Sequence, residues 1–202
     1  MKGYKKIKID IVVPPYSGHL YPILELIKPL LRDKEYDICI YTGAQREKFL
    51  NKLGIKCNIV LKDRPTFFED VAKTTAVVSY SQFRKNLKAV PEIIRELEKG
   101  FKERKPDIIL ADFVAVPAGV VAKKMGIPWI TSIPTPFAIE SRSTTPSYMG
   151  GWYPKEGFIY KIRDSIGRFI IKSFKRTVCF MAANTLKELD YKLYDEKGEE
   201  NA

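Results

Sequence analysis

Residues 7–13 form a compact run of β-branched and apolar positions, the pattern of a buried strand. Residues 21–32 follow at helical spacing, with Leu24, Ile27 and Leu31 along one side. Pro29 inside that pattern predicts a kink or an early end. Residues 36–41 form a second strand, closed by Thr42-Gly43, and residues 44–53 a short helix ending at Gly54, a suitable C-cap. Residues 55–61 make a third strand. Strands that alternate with helices in this way predict βαβ units and a parallel sheet.

Beyond this point the rhythm changes. Residues 62–75 read as a loop containing Arg64-Pro65-Thr66-Phe67-Phe68, and residues 75–104 as a long helical region interrupted at Pro91. A fourth strand spans residues 107–110 and is closed by Ala111-Asp112-Phe113. A helix over 115–125 is capped by Gly126, and a fifth strand covers 128–133. Residues 138–157 are irregular, 158–193 return to helix-like spacing with many Lys and Arg, and 195–202 form a charged tail expected to fray. The expected fold is α/β: a Rossmann-like, doubly wound parallel sheet with strand order about 3-2-1-4-5 and further elements.

A chain of 202 residues supports one domain with a real core, expected over 1–194. Thirty-five Lys and Arg against 24 Asp and Glu give a net charge of +11, which favours anionic partners. The lysines are scattered and form no basic-aromatic stripe, so nucleic acid is not an expected partner. The same excess also serves plain solubility. Three cysteines (Cys39, Cys57, Cys179) have no metal-like spacing, so no metal site is expected, and they point to a reduced, cytoplasmic compartment. The basic N-terminus precedes an apolar run broken by Lys8 and Asp10, too short for a signal peptide. No stretch approaches the ~20 apolar residues of a spanning helix.

Candidate chemistry gathers at two strand ends. The only histidine, His19, follows the first strand, and Asp112 follows the fourth. With strands in the order 3-2-1-4-5 these two are neighbours, about 4.8 Å apart, and their side chains come within hydrogen-bond reach. A carboxylate on one imidazole nitrogen fixes the tautomer and makes the other nitrogen a better base toward a hydroxyl. Two plainer readings stand beside this one: a solitary histidine in a structural role, and an Asp112 that caps the next helix. Competing arrangements are missing: there is no Gly-x-Ser-x-Gly elbow, no Gly-x-Gly-x-x-Gly and no Walker-type loop.

The segment Ser17-Gly18-His19-Leu20-Tyr21-Pro22-Ile23-Leu24-Glu25-Leu26 resembles the Gly-His-x-x-Pro-x-Leu-x-Leu opening of family 1 UDP-glycosyltransferases, including macrolide-type bacterial members. Pro106-Asp107-Ile108-Ile109-Leu110-Ala111-Asp112 resembles that family's Pro-Asp-x-x-x-x-Asp segment, and Gly126-Ile127-Pro128-Trp129-Ile130, leading to Thr135-Pro136, continues the match. The resemblance covers residues 7–137 and extends loosely beyond them. It implies the N-terminal, acceptor-binding half of a GT-B fold, with His19 as general base for inverting attack on a UDP-sugar and Asp112 orienting it. It also places Phe67, Phe68, Phe83, Phe113 and Phe137 where acceptor pockets are built, with Ser17 and Gly18 on the donor-proximal loop; ordinary core packing is the alternative for each phenylalanine.

The family's C-terminal donor signature is not found in these residues, and Trp129 and Trp152 stand in other contexts. The resemblance therefore implies that the C-terminal donor-binding domain is absent. No cofactor is expected; a UDP-sugar serves as co-substrate, held mainly by a separate donor-binding domain or subunit. The isolated chain is expected to be nearly inactive, and the acceptor to be a small lipophilic molecule or a lipid. Basic helices after Phe158 and an apolar face near residues 138–190 suit peripheral membrane contact, a solvated surface or cover by a second domain. The alternatives are a non-catalytic scaffold subunit that recruits a donor-binding partner, with His19 vestigial, and a freestanding hydrolase or isomerase using the His19/Asp112 pair.

Overall fold

The computed structural model describes residues 5–72, 79–134, 145–146, 152–181, 183–188 and 192, and only the backbone of 70–72, 79–84, 178, 185 and 186. Five parallel strands form one sheet in the order β3-β2-β1-β4-β5. They are β1 (Ile7–Val12), β2 (Tyr36–Thr42), β3 (Lys56–Ile59), β4 (Ile108–Asp112) and β5 (Trp129–Ser132). The helices between them are α1 (Ser17–Leu31), α2 (Glu47–Lys52), α3 (Phe67–Ala72), α4 (Ser79–Arg104) and α5 (Val116–Met125). The architecture is the doubly wound α/β sheet that the alternation of elements predicts.

Side-chain alternation with a period of two explains why both faces of this sheet are covered. Ile11, Val13, Ile38 and Ile40 pack with Leu20, Ile23 and Ile27 of α1 and Leu50 of α2. Val12, Cys39, Tyr41, Ile109 and Ala111 point the other way, to Leu97 and Phe101 of α4 and Val121 and Ala122 of α5. The chain builds outward through β2 and β3, then returns through α4 to place β4 on the other side of β1. Val12 therefore has Tyr41 on one side and Ala111 on the other. The connections leaving β1 and β4 diverge, and a crevice opens at the carboxyl ends of these two strands.

Local differences from the sequence reading have physical causes. Helix α1 starts at Ser17 rather than near residue 21, because the Tyr16 carbonyl accepts the N–H groups of His19 (3.0 Å) and Leu20 (2.9 Å). Ser17, Gly18 and His19 thus form a helical first turn instead of a loop. The segment after Gly43 is a short 3-10 turn, Ala44–Arg46, followed by α2. The expected loop at 62–75 contains α3, whose six residues are too few for periodicity to register. Pro91 does not interrupt α4, because Ala89, Ile93, Leu97 and Phe101 recur every four residues along a face packed into the core. That packing outweighs the hydrogen bond that one proline removes. Gly126 closes α5 with φ of 66°, as expected of its position.

The chain divides at Pro134 into two compact units, Met1–Pro134 and Thr135–Ala202, where the sequence reading has a single domain over 1–194. The strand–helix alternation ends with β5, and the second unit is described as two helices, α6 (Phe158–Met181) and α7 (Ala183–Glu188). The tail at 195–202 lies outside the described residues.

One glycine of α4 is there for space. An ideal Cβ on Gly100 would lie 2.6 Å from Cε1 and 2.8 Å from the hydroxyl oxygen of Tyr41, a ring that is itself buried. Alanine improves helix propensity by about 1 kcal/mol, but overpacking a fixed ring costs about 1–3 kcal/mol. Gly100→Ala is therefore expected to lower stability by about 1 kcal/mol, read as a reduced urea midpoint at unchanged slope. An increase in the midpoint would show that the helix-propensity gain is the larger effect.

Candidate functional site

The crevice between β1 and β4 brings His19 and Asp112 together. Asp112 is the last residue of β4, is buried, and cannot face solvent. His19 stands in the first turn of α1, where side chains lean back toward the helix start and the strand ends. Its Nδ1 lies 3.0 Å from both Asp112 Oδ1 and Oδ2. The carboxylate also accepts the Val114 backbone N–H through Oδ1 at 3.0 Å. Asp112 therefore holds the turn into α5 and the histidine at once; the N-cap position of that helix is Ala115. A carboxylate accepting from Nδ1–H leaves Nε2 as the lone-pair nitrogen. Among the described residues Nε2 has no hydrogen-bond partner, and the side chain is 20% exposed.

Aromatic rings frame the imidazole. Phe113 stacks on it with ring centres 5.6 Å apart, and Tyr16 meets it edge-on at 6.2 Å. Burial pushes the Tyr16 phenol up to about 12, so it stays neutral, and its hydroxyl donates to the Phe68 carbonyl at 3.3 Å. Arg46 braces the start of α1 from the opposite side. Its Nε donates to the Pro15 carbonyl (2.7 Å), one terminal nitrogen donates to Ser17 Oγ (2.8 Å), and the guanidinium lies over the Tyr21 ring.

Next to the pair lies an apolar cavity of about 250 Å³ at the carboxyl edge of the sheet. Its walls come from the ends of β1 and β2 (Val12, Val13, Pro14, Tyr41, Thr42), from Phe67 and Phe68 on α3, from Val90, Ile93 and Leu97 on α4, and from the turn into α5 (Val114, Ala115). Tyr16 and Val114 belong to this lining and also touch the His19/Asp112 pair. The enclosure suits an apolar molecule whose edge reaches Nε2.

The candidate residues sort as follows. Phe67 and Phe68 line the cavity, whereas Phe113 stacks on the histidine instead. Phe83 lies on α4 with its side chain outside the described part, and Phe137 lies outside the described residues. Ser17 is tied to Arg46, and Gly18 is exposed in the first turn of α1. Tyr16 and Arg46 belong to the site but not to the candidates that sequence supplies. Tyr16 stands one residue before the motif, so its place in the β1–α1 connection is its only signal; Arg46 carries no motif at all. Among the described residues no three His, Cys, Asp or Glu side chains gather into a metal-ligating group.

No protein-family model matches the chain. It is 26% identical over 169 residues to the NDP-glycosyltransferase YjiC of Bacillus subtilis (strain 168), covering 82% of this chain and 39% of that protein. Among solved structures, the glycotransferase of kitacinnamycin is similar with a TM-score of 0.51 at 25% identity, over 64% of this chain and 31% of that one. The calicheamicin glycosyltransferase CalG4 is similar in fold, with a TM-score of 0.50 at 18% identity over 65% of this chain and 32% of that one. The chain thus spans well under half the length of each of these relatives.

Proposed function

We propose, from the premise that this chain carries a GT-B glycosyltransferase-like domain, that it is the acceptor-binding half of an inverting glycosyltransferase. The hydrogen bond from His19 Nδ1 to a buried carboxylate, at the mouth of an apolar cavity, carries this reading. The acceptor is a small lipophilic molecule seated between α3, α4 and the strand ends, with one hydroxyl presented to His19 Nε2. As that oxygen attacks the anomeric carbon of a nucleotide-sugar, its proton passes to Nε2. The bond from the anomeric carbon to the nucleoside diphosphate breaks, and the diphosphate leaves with the electron pair. Attack from the face opposite the leaving group inverts the anomeric configuration. Asp112 holds the imidazole in the accepting tautomer and compensates the imidazolium charge that develops.

The nucleotide-sugar is held mainly by a separate donor-binding domain, with Ser17 and Gly18 forming the edge that faces it. A UDP-sugar is the expected co-substrate. The reading is tested by incubating the chain with UDP-glucose and a panel of hydroxylated bicyclic aromatics, with and without a donor-binding domain supplied in trans. Transfer with inversion, only when both are present, is the expected result. Tight binding of UDP-glucose by the chain alone, followed calorimetrically, would overturn the acceptor-half assignment.

The cavity wall gives a second test in the same system. Removing an apolar side chain from a contact it makes with ligand costs about 1.5–3 kcal/mol for full burial. Phe68→Ala is expected to raise the acceptor KM about tenfold, with kcat changed by less than about threefold. A loss confined to kcat would place the acceptor elsewhere.

A further inference from the structure

The second unit presents a helix face whose chemistry identifies what it touches. Helix α6 carries Phe158, Ile159, Phe169, Phe174 and Phe180 at 77%, 77%, 72%, 64% and 82% exposure. At about 100° per residue, Phe158, Ile159, Ile162, Ile166, Phe169 and Ile170 share a sector of about 120°. Lys161, Arg168, Lys172, Lys175 and Arg176 share an adjoining sector of about 100°. The remaining side of the helix faces its own unit: Gly167 packs under Pro146 and Trp152, and Ile171 and Asp164 are buried. An unbroken exposed apolar stripe is therefore bordered along its length by cations.

We propose that α6 lies in the headgroup region of an anionic lipid bilayer, with its phenylalanine and isoleucine stripe in the acyl boundary and its basic sector against lipid phosphates. Charge complementarity selects this occupant. The helix holds six Lys and Arg (Lys161, Arg163, Arg168, Lys172, Lys175, Arg176) against one acid, Asp164. That one carboxylate is turned inward, bonded to Arg163 (2.6 Å) and to the Thr145 hydroxyl (3.1 Å), so the charge that the helix itself turns outward is positive. A protein surface that merely covered the stripe would need no such uniform border, whereas a helix in the interface plane gains from both parts. Among the described residues no helix is long and apolar enough to cross a membrane, which leaves the surface orientation. The scattered lysines of the linear sequence become a stripe only on the helix.

Co-sedimentation of the whole chain with extruded vesicles tests the proposal. Binding is expected to vesicles of phosphatidylcholine mixed with phosphatidylglycerol, and to be at least about tenfold weaker to phosphatidylcholine alone. Raising salt should weaken it, because exposed charges are screened. Phe169→Glu/Phe174→Glu should lower the partition coefficient about tenfold or more, and Lys172→Glu/Lys175→Glu should erase the preference for phosphatidylglycerol. Ile162→Glu, at the other end of the stripe, provides an independent variant, and unchanged circular dichroism identifies the variants that keep the fold. Absence of binding to the anionic vesicles would overturn the proposal. So would binding that survives loss of the aromatic stripe. Self-association of the chain that Phe169→Glu/Phe174→Glu abolishes, without vesicle binding, would assign the face to a protein contact instead.

Discussion

Replacing His19 by alanine is expected to lower turnover by about 10²–10⁴-fold, the usual contribution of a positioned general base, or about 3–5 kcal/mol of transition-state stabilisation. The measurement uses the chain with a donor-binding domain supplied in trans, nucleotide-sugar and a hydroxylated acceptor. The loss should fall on kcat, with acceptor binding unchanged within about threefold, because the cavity walls stand apart from the imidazole. Folding should be unaffected: the side chain is partly exposed, and its contribution to the core is small. Asp112→Ala removes the orienting partner but leaves the base, so its kinetic loss should be smaller, about 10–10²-fold. It should also cost stability, since the Val114 N–H loses its acceptor. This asymmetry separates the readings. A scaffold subunit would tolerate His19→Ala with no more than a twofold change in any transfer it supports. An Asp112 that only shapes the turn into α5 would yield an unfolded or weakened protein whose residual activity per folded molecule is normal.

Much of this site is legible in the sequence. His19 and Asp112 lie 93 positions apart, yet each ends a recognisable strand, and the topology of a doubly wound sheet makes those strand ends neighbours. Phe67 and Phe68 are legible as residue types but not as a helix, because six residues carry less than two turns of pattern. Tyr16 escapes a sequence reading because its part is geometric: its ring and hydroxyl link the histidine to α3, contacts that no spacing rule encodes. Pro91 misleads because local propensity takes no account of the packed face that carries α4 through it. Asp10 is the least legible. In the sequence it is only a polar interruption of an apolar run, and its meaning depends on an arginine at the far end of a long helix.

That arginine sets the second large expectation. Asp10 is fully buried on β1, and Arg104, at the end of α4, bonds to it through Nε. The same guanidinium donates to Asp37 Oδ2 at 3.1 Å and to the Asp37 carbonyl at 2.6 Å, and Asp37 takes Lys56 at 2.8 Å. One side chain thereby ties the long crossover helix to both β1 and β2, at the point where the chain turns back toward β4. Burial raises the Asp10 carboxyl above its ordinary range despite the attraction of Arg104, while Lys56 and Arg104 hold Asp37 below its own. Breaking a buried pair from one side leaves an uncompensated charge, at a cost of about 3–5 kcal/mol. Arg104→Met is expected to lower stability by that amount at pH 7, read from urea unfolding. The sign of the pH dependence follows from linkage. A carboxyl whose folded pKa is raised binds protons more readily in the folded state, so folding gains below the ordinary range near 4 and loses that gain as pH rises through the folded value. Without Arg104 the Asp10 value climbs further, so the deficit should shrink as pH falls toward it. Asp37 acts in the opposite sense: its depressed value stabilises the native chain above the ordinary range, and that help is lost in acid. The variant should therefore recover relative to the native protein on mild acidification, and Asp10→Asn in the same background should recover part of the loss at pH 7. A deficit below about 1 kcal/mol, or one constant between pH 7 and pH 5, would mean that Asp10 is solvated well enough to need no partner.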